Sequence, residues 1–222
     1  MIIGLTGLYC AGKNHIGLLL EKRGIPVLDV DKLGYKVIDS ETEKIAARFG
    51  KEILDSVGKI NRKHLGKLVF GRPGELADLE SIVHPGANRL TEEWIAGKNA
   101  DEIPGLEKGS CVINAALLQK SSVFEKLDAI IVVYAPFPVR FFRALKRDNC
   151  SPWELFRRFL CQKDFPNYQK SAHKDELTGK SPAQLFFPEA DIYTIRNSGF
   201  YGSPRVLEKQ VEAILKGLRK GI

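Results

Sequence analysis

The sequence predicts an α/β fold, a parallel sheet flanked by helices, and three observations lead there. The chain opens with strand, glycine loop, helix and strand compressed into about thirty residues. Short, wholly apolar runs recur further along, each the length of a strand buried on both faces. The chain then ends in a segment with helical spacing. Parallel strands need crossovers, and crossovers place helices over both faces of the sheet.

Taken in order, MIIGLT is an apolar run that stops at a glycine turn, which suits a buried strand. Ile16 to Leu20 carry the apolar residues of a helix ending near Arg23-Gly24. Pro26-Val27-Leu28 reads as the second strand, ending at Asp29. Cys111–Ile113, Ala129–Val133 and Ile192–Ile195 read as further buried strands. Pro204 to Leu218 is the closing helix, with Val206, Leu207, Val211, Ile214, Leu215 and Leu218 at helical spacing. Between the second and third strands, Thr42 to Ala96 is mostly helical and too long for a simple crossover, so it reads as an inserted helical subdomain. Asn167 to Glu189 is polar, with Gly179, Pro182 and Pro188, and reads as a loop or lid extension.

A chain of 222 residues fits one domain with room for an insertion. Hydrophobic content of 44% with 27% charged residues argues for a folded chain over a disordered one. No apolar run approaches the roughly 20 residues of a membrane span, and MIIGL lacks the basic start of an export signal. Cys10, Cys111, Cys150 and Cys161 show no C-x-x-C pairing, which suggests free thiols in a reducing cytoplasm. The formal charge of +7 permits an anionic partner. Lys and Arg are spread along the chain, without the basic strip and interleaved aromatics of a nucleic-acid surface. A phosphate-rich small ligand is therefore expected in place of nucleic acid, and no membrane.

Gly7 to Lys13 read GLYCAGK, the G-x-x-x-x-G-K frame of a phosphate-binding loop. Such a loop turns successive backbone N–H groups toward one anion, and the following helix adds its positive end. Its two glycines permit the unusual backbone, and Lys13 reaches the outer phosphates. A Ser or Thr should come next to help hold Mg²⁺, yet the residue is Asn14. A carboxamide oxygen is a ligand a hard cation accepts, directly or through water. His15 reads as a surface residue at the helix start.

Asp29 and Asp31 stand in VLDVDKLG, where the second strand ends. Ligands of open parallel sheets bind beyond those strand ends. Two carboxylates there can orient a metal-bound water and accept a proton from an attacking hydroxyl. The competing reading makes Asp31 the N-cap of a helix starting at Lys32. Arg140, Arg143, Arg147, Arg157 and Arg158 flank a helix break at Asn149-Cys150-Ser151-Pro152. Arg143 and Arg147 share one helix face and can close over transferring phosphates. A solvated helix face is the plainer alternative for such a set.

Beyond the loop, FGKEILDSVGKINRKHLGKLVF followed by LESIVHP resembles the G-x-(I/L)-x-R-x-x-L…VF…L-x-x-I-x-HP run of dephospho-coenzyme A kinases. IIGLTG…AGK resembles that family's opening, and VLDVDKLGYKVI its D-x-D segment. AIIVVYAPFPVRFFRALKRD, FRRFLCQ and ADIYTIRNSG resemble its fourth strand with arginine helix, its R-x-x-x-Q element and its N-S-G ending. Nearly the whole chain is covered, apart from 167–189, which has the look of an insertion.

The resemblance implies a three-layer α/β/α phosphate-loop kinase fold, with a core at 1–41, 109–142 and 190–222, a helical acceptor-binding part at 42–108 and a lid at 143–189. It also implies transfer of the γ-phosphoryl of ATP, with Mg²⁺, to the ribose 3′-hydroxyl of dephospho-CoA, in a cytoplasmic monomer or weak homo-oligomer. Gly7, Cys10, Ala11, Gly12, Lys13, Asn14 and His15 would line the nucleotide loop, with Asn197 near the adenine. Asp31 would be the base and Asp29 would organise the site. Arg62, His84 and Leu117 would fall on the acceptor side, His84 in a structural role. Lys13, Arg143 and Arg147 would act on the phosphates, and Asn14 and Asp31 on the metal.

The chain also departs from the family pattern. The family loop is richer in glycine and ends G-K-S-T. Its third strand ends D-x-P-L-L-F-E, where this chain reads INAALLQK, with Asn114 for the aspartate and Lys120 at the final carboxylate position. Tyr35 stands where an arginine is usual. A weakly active or inactive nucleotide-binding relative, or a kinase for another small acceptor, is the competing expectation. The retained Lys13 and Asp31 favour a substituted but working site.

Overall fold

The computed structural model describes residues 1–69, 71–98, 103, 106–148, 151, 153, 155, 156, 159, 190–199 and 204–219. Arg157, Arg158 and the polar interruption at 167–189 lie outside the described residues. Among the described residues, no helix is long and apolar enough to cross a membrane. The chain divides into two compact units, one formed by Met1–Leu28 with Gly97–Ile222 and the other by Asp29–Ala96.

In the first unit the apolar runs form a sheet. Its strands are β1 (Ile2–Gly7), β2 (Val27–Asp29), β3 (Cys111–Asn114), β4 (Ala129–Tyr134) and β5 (Asp191–Arg196), in the order β2-β3-β1-β4-β5. β1 lies in the centre, parallel to β3 with Ile2 opposite Cys111, and parallel to β4 with Ile3 opposite Ala129. β5 runs parallel to β4. Ile3, Leu5, Val112, Ile130 and Ile131 are at most 1% exposed, because both faces of a parallel sheet are covered and alternation gives way to unbroken apolar runs. Helix α1 (Lys13–Glu21) contributes Ile16, Leu19 and Leu20 to the main core, and the last described helix, α7 (Pro204–Leu218), contributes Leu207, Val211 and Leu215. Helix α6 (Phe137–Arg147) follows β4 after Pro136.

The second unit is helical. It comprises α2 (Val30–Ser40), α3 (Thr42–Phe49), α4 (Arg62–Val69) and α5 (Pro73–Ala96). Ile45, Phe49, Ile53, Ile60, Leu65 and Val69 give it a core of its own. Pro85 lies inside α5, where it has no N–H to donate to the turn before it.

One local reading changes. Asp29, not Asp31, caps α2. Asp29 keeps an extended backbone (φ −89°, ψ 98°), and its Oδ1 accepts from the Lys32 N–H at 3.2 Å. The helix thus begins at Val30, and Asp31 is left exposed in the first turn with no capping duty.

Candidate active site

The loop leaving β1 owes its shape to two glycines. Gly7 has φ +156°, and a Cβ there would run into the Val133 carbonyl oxygen of the neighbouring strand. Gly12, at φ +105°, is the N-cap of α1, and a Cβ there would strike the Asn197 amide. Between them Ala11 N donates to Leu8 O at 2.9 Å, and Cys10 takes φ 59°. The His15 and Ile16 N–H groups donate to Gly12 O at 3.1 and 3.3 Å, so the helix starts directly out of the loop. No side chain caps α1, and its first turn carries no acidic residue. That end therefore keeps its partial positive charge for an incoming anion. Lys13 arches back so that Nζ donates to Gly7 O at 3.1 Å, which holds the ammonium over the loop.

Two arginines of α6 fasten this loop from the side. Arg143 donates to the Ala11 carbonyl at 3.2 Å, the Asn197 carbonyl at 3.2 Å, Asn197 Oδ1 at 2.9 Å and the Gly199 carbonyl at 2.7 Å. Asn197, only 5% exposed, completes the ring by donating from Nδ2 to Ala11 O at 2.9 Å. Arg140 is 8% exposed, donates to Ala135 O at 3.0 Å and Tyr9 O at 3.4 Å, and has the Phe159 ring 5.1 Å away. Burial lowers the pKa of both guanidiniums from the ordinary arginine value. Arg147 is different. It is exposed, stacks over Tyr9 at 5.0 Å and donates to both Asp148 oxygens at 2.8 and 3.1 Å, while Tyr9 donates its hydroxyl to the same carboxylate. The Cys10 thiol is raised above its ordinary value by burial, against the opposing pull of Arg147, Lys13, Arg140 and Arg143.

The two carboxamides that replace expected polar groups meet each other. Asn114 ends β3 and is 3% exposed, and its Nδ2 donates to Asn14 Oδ1 at 3.1 Å. Asn114 Oδ1 is buried with no hydrogen-bond partner among the described residues. Among the described residues no group of three or more His, Cys, Asp and Glu could hold a metal ion by itself. Neutral oxygens beside a phosphate cradle nevertheless fit a divalent cation delivered by the phosphates, which keeps several waters. After β3, Thr6 Oγ1 donates to Ala116 O at 3.4 Å, and Leu117 is 41% exposed.

In the helical unit, Asp29 is half-buried and occupied with its cap and with Lys32, 3.6 Å away. Arg62 donates to Asp39 at 2.6 Å and lies over the Tyr35 ring at 4.7 Å. His84 is half-buried, one residue before Pro85 in α5. The structure thus gathers Gly7, Cys10, Ala11, Gly12, Lys13, Asn14, Arg143 and Asn197 around one loop. Tyr9 and Asp148 were not singled out from the sequence. The visible signal was an aromatic side chain inside a loop that usually runs to glycine.

A glycine-bounded loop between the central strand of a parallel sheet and its helix, fastened by arginines from the helix after β4, defines a phosphate-loop kinase. The family model for dephospho-CoA kinase matches residues 1–177. A dephospho-CoA kinase of Shouchella clausii is 32% identical over 180 residues, which covers 80% of this chain and 88% of that one. One of Anaeromyxobacter dehalogenans is 31% identical, with 99% of this chain and 93% of that one covered. The crystal structure of a Thermus thermophilus protein superposes with a TM-score of 0.70 at 27% identity, covering 98% of this chain and 97% of that one. The chain belongs to the dephospho-CoA kinase family.

Proposed function

We propose that this enzyme transfers the γ-phosphoryl of ATP to the ribose 3′-hydroxyl of dephospho-CoA, giving coenzyme A and ADP. The family match through residues 1–177, which spans both the loop and the helical unit, carries this reading. The loop amides of Gly7 to His15 hold the triphosphate and Lys13 bridges its outer oxygens, with Asn197 on the nucleoside side. Asp31 accepts the proton of the 3′-hydroxyl, whose oxygen bonds to the γ-phosphorus as the bond to the ADP oxygen breaks. Exposed in the first turn of α2, Asp31 suits that role better than Asp29, whose carboxylate caps the helix.

Arg143 and Arg147 neutralise charge that develops on the transferred group. Arg62, His84 and Leu117 receive the acceptor. Asn14 and Asp31 would hold Mg²⁺, which would supply charge compensation for the phosphates. The lack of any C-x-x-C pairing supports a cytoplasmic enzyme, and we read it as a monomer or weak homo-oligomer that binds no nucleic acid. The test is an ATP-consumption assay with dephospho-CoA against a panel of nucleoside monophosphates. Turnover with dephospho-CoA alone supports the assignment, whereas turnover confined to a monophosphate moves the chain to another acceptor class.

A further inference from the structure

A phosphate cradle is built from backbone N–H groups, so the ring of Tyr9 inside this loop serves something else. Three contacts fix it. The Tyr9 carbonyl accepts from Arg140 Nη1 at 3.4 Å, Phe159 packs edge-on against the ring at 5.3 Å, and the hydroxyl donates to Asp148. Over the ring face, 5.0 Å from its centre, lies the guanidinium of Arg147. An aromatic face attracts a cation without consuming any of its N–H donors. Asp148 takes the Nε and Nη2 edge of that guanidinium at 2.8 and 3.1 Å. The same edge fits two phosphate oxygens, because carboxylate and phosphate offer an arginine fork the same pair of acceptors. Burial raises the Cys10 thiol, and of the four cations that oppose this Arg147 counts most, ahead of Lys13, so its charge bears on the loop itself. A carboxylate so placed carries the same sign as an incoming phosphate and holds a cation the phosphate would use. It can let go at little cost. The Arg147 side chain is 59% exposed, and exposed ion pairs are weak. Asp148 itself is anchored by its backbone, whose N–H donates to Ala144 O at 2.8 Å as the C-cap of α6, so only its side chain need turn.

Resting on the nucleotide site proposed above, we infer that Tyr9 is a positioning residue for Arg147, and that Asp148 is the counter-ion which the nucleotide phosphates displace. The ring carries the guanidinium beside the loop before and after the exchange. Asp148 neutralises the arginine until a pair of phosphate oxygens takes its Nε and Nη2 edge and the carboxylate turns away. Tyr9 thus acts on the nucleotide through Arg147, and Asp148 weakens nucleotide binding by competing for the same donors.

The experiment is calorimetric titration of the full chain with ATP, for the parent, Asp148→Asn, Tyr9→Leu and Tyr9→Phe, each with and without Arg147→Ala. Asp148→Asn removes the competing charge and should tighten ATP binding about fivefold, the upper worth of an exposed ion pair. Tyr9→Leu removes the platform and should weaken ATP binding about fivefold, and Tyr9→Phe, which keeps the ring, should recover most of that loss. With Arg147→Ala in the background the Tyr9→Leu loss should disappear, and the Asp148→Asn gain should fall below about twofold, the remainder owed to plain repulsion. A Tyr9→Leu loss that persists without Arg147 would make Tyr9 a structural residue of the loop and overturn the proposal. Equal Asp148→Asn gains with and without Arg147, or weaker ATP binding in Asp148→Asn, would overturn the exchange. Asp148→Asn is nearly isosteric and keeps the test open if Tyr9→Leu fails to fold. The expected pattern without transfer to dephospho-CoA would sink the acceptor assignment and leave the Tyr9–Arg147–Asp148 reading standing. No ATP binding by the parent would overturn both.

Discussion

Arg143 and Arg62 are both arginines that the sequence draws into the chemistry, and their surroundings differ. Arg143 donates to three backbone carbonyls and one side-chain oxygen within 3.2 Å. Arg62, on the helical unit, has one carboxylate and the face of Tyr35, with 47% of its side chain exposed. The phosphate side is set before any ligand arrives, and such preorganised groups need no rearrangement as charge develops. Arg62 keeps an exposed, exchangeable partner, so in its proposed acceptor role its geometry would be decided by the ligand.

Replacing Asp31 by Asn should have the largest effect, because it removes the proposed proton acceptor while keeping size and polarity. Turnover should fall on the order of 10²–10⁴-fold, with ATP affinity unchanged by calorimetry. A near-parental rate would return Asp31 to a helix-surface role.

Gly12→Ala attacks the preorganised side. Its φ of +105° and the obstruction by Asn197 cost about 1–3 kcal/mol of strain, which the loop relieves by leaving its cradle shape. ATP affinity should drop roughly tenfold while the KM for dephospho-CoA holds. Unchanged ATP binding would mean that the loop is more pliable than its hydrogen bonds imply.

A matched pair then tests the contrast itself. Arg143→Lys leaves several buried acceptors short of donors and should destabilise the ligand-free protein by about 1–3 kcal/mol in chemical denaturation. Arg62→Lys should stay within about 1 kcal/mol, as exposed ion pairs do. Equal losses at both positions would erase the distinction.

The smallest effect is at Cys10. Burial raises its pKa, so folding favours the protonated thiol. That contribution is complete below the ordinary thiol value and is lost as pH rises through the raised one. Iodoacetamide labelling of Cys10, followed by peptide mass spectrometry at pH 8, should be slower than that of a free thiol such as glutathione and should accelerate only at higher pH. Fast labelling at pH 8 would show that the four cations outweigh burial.

Much of the scaffold was legible because its signals are local. Ala129 to Val133 is short, apolar and β-branched enough to read as a buried strand, and the glycines with Lys13 mark the loop. Long-range matters stayed hidden. Asn14 and Asn114 read separately as two lost polar groups, since only the pairing of β1 with β3 brings positions a hundred residues apart into one hydrogen bond. Arg140 sits in a helix whose cations looked solvated, and nothing in VRFFRALKR says that the Tyr9 carbonyl and an aromatic ring wait for it. The cap on α2 fell to Asp29 because strand and helix join with no linker, which spacing alone does not reveal.

The central place of β1 also governs the order in which the molecule can form. Ile2 has its β3 partner at Cys111, and Ile3 its β4 partner at Ala129. On a ribosome adding about 5–20 residues per second, β1 waits on the order of ten seconds for the first of them. The segment Asp29–Ala96 has its own core from contiguous sequence and can close in that interval. The apolar IIGLTG segment meanwhile stays unpaired, open to chaperones or to mispairing with other chains. A delay in synthesis between Ala96 and Cys111 would prolong that exposure, so the strand that leads into the phosphate loop is also the chain's longest-standing aggregation risk.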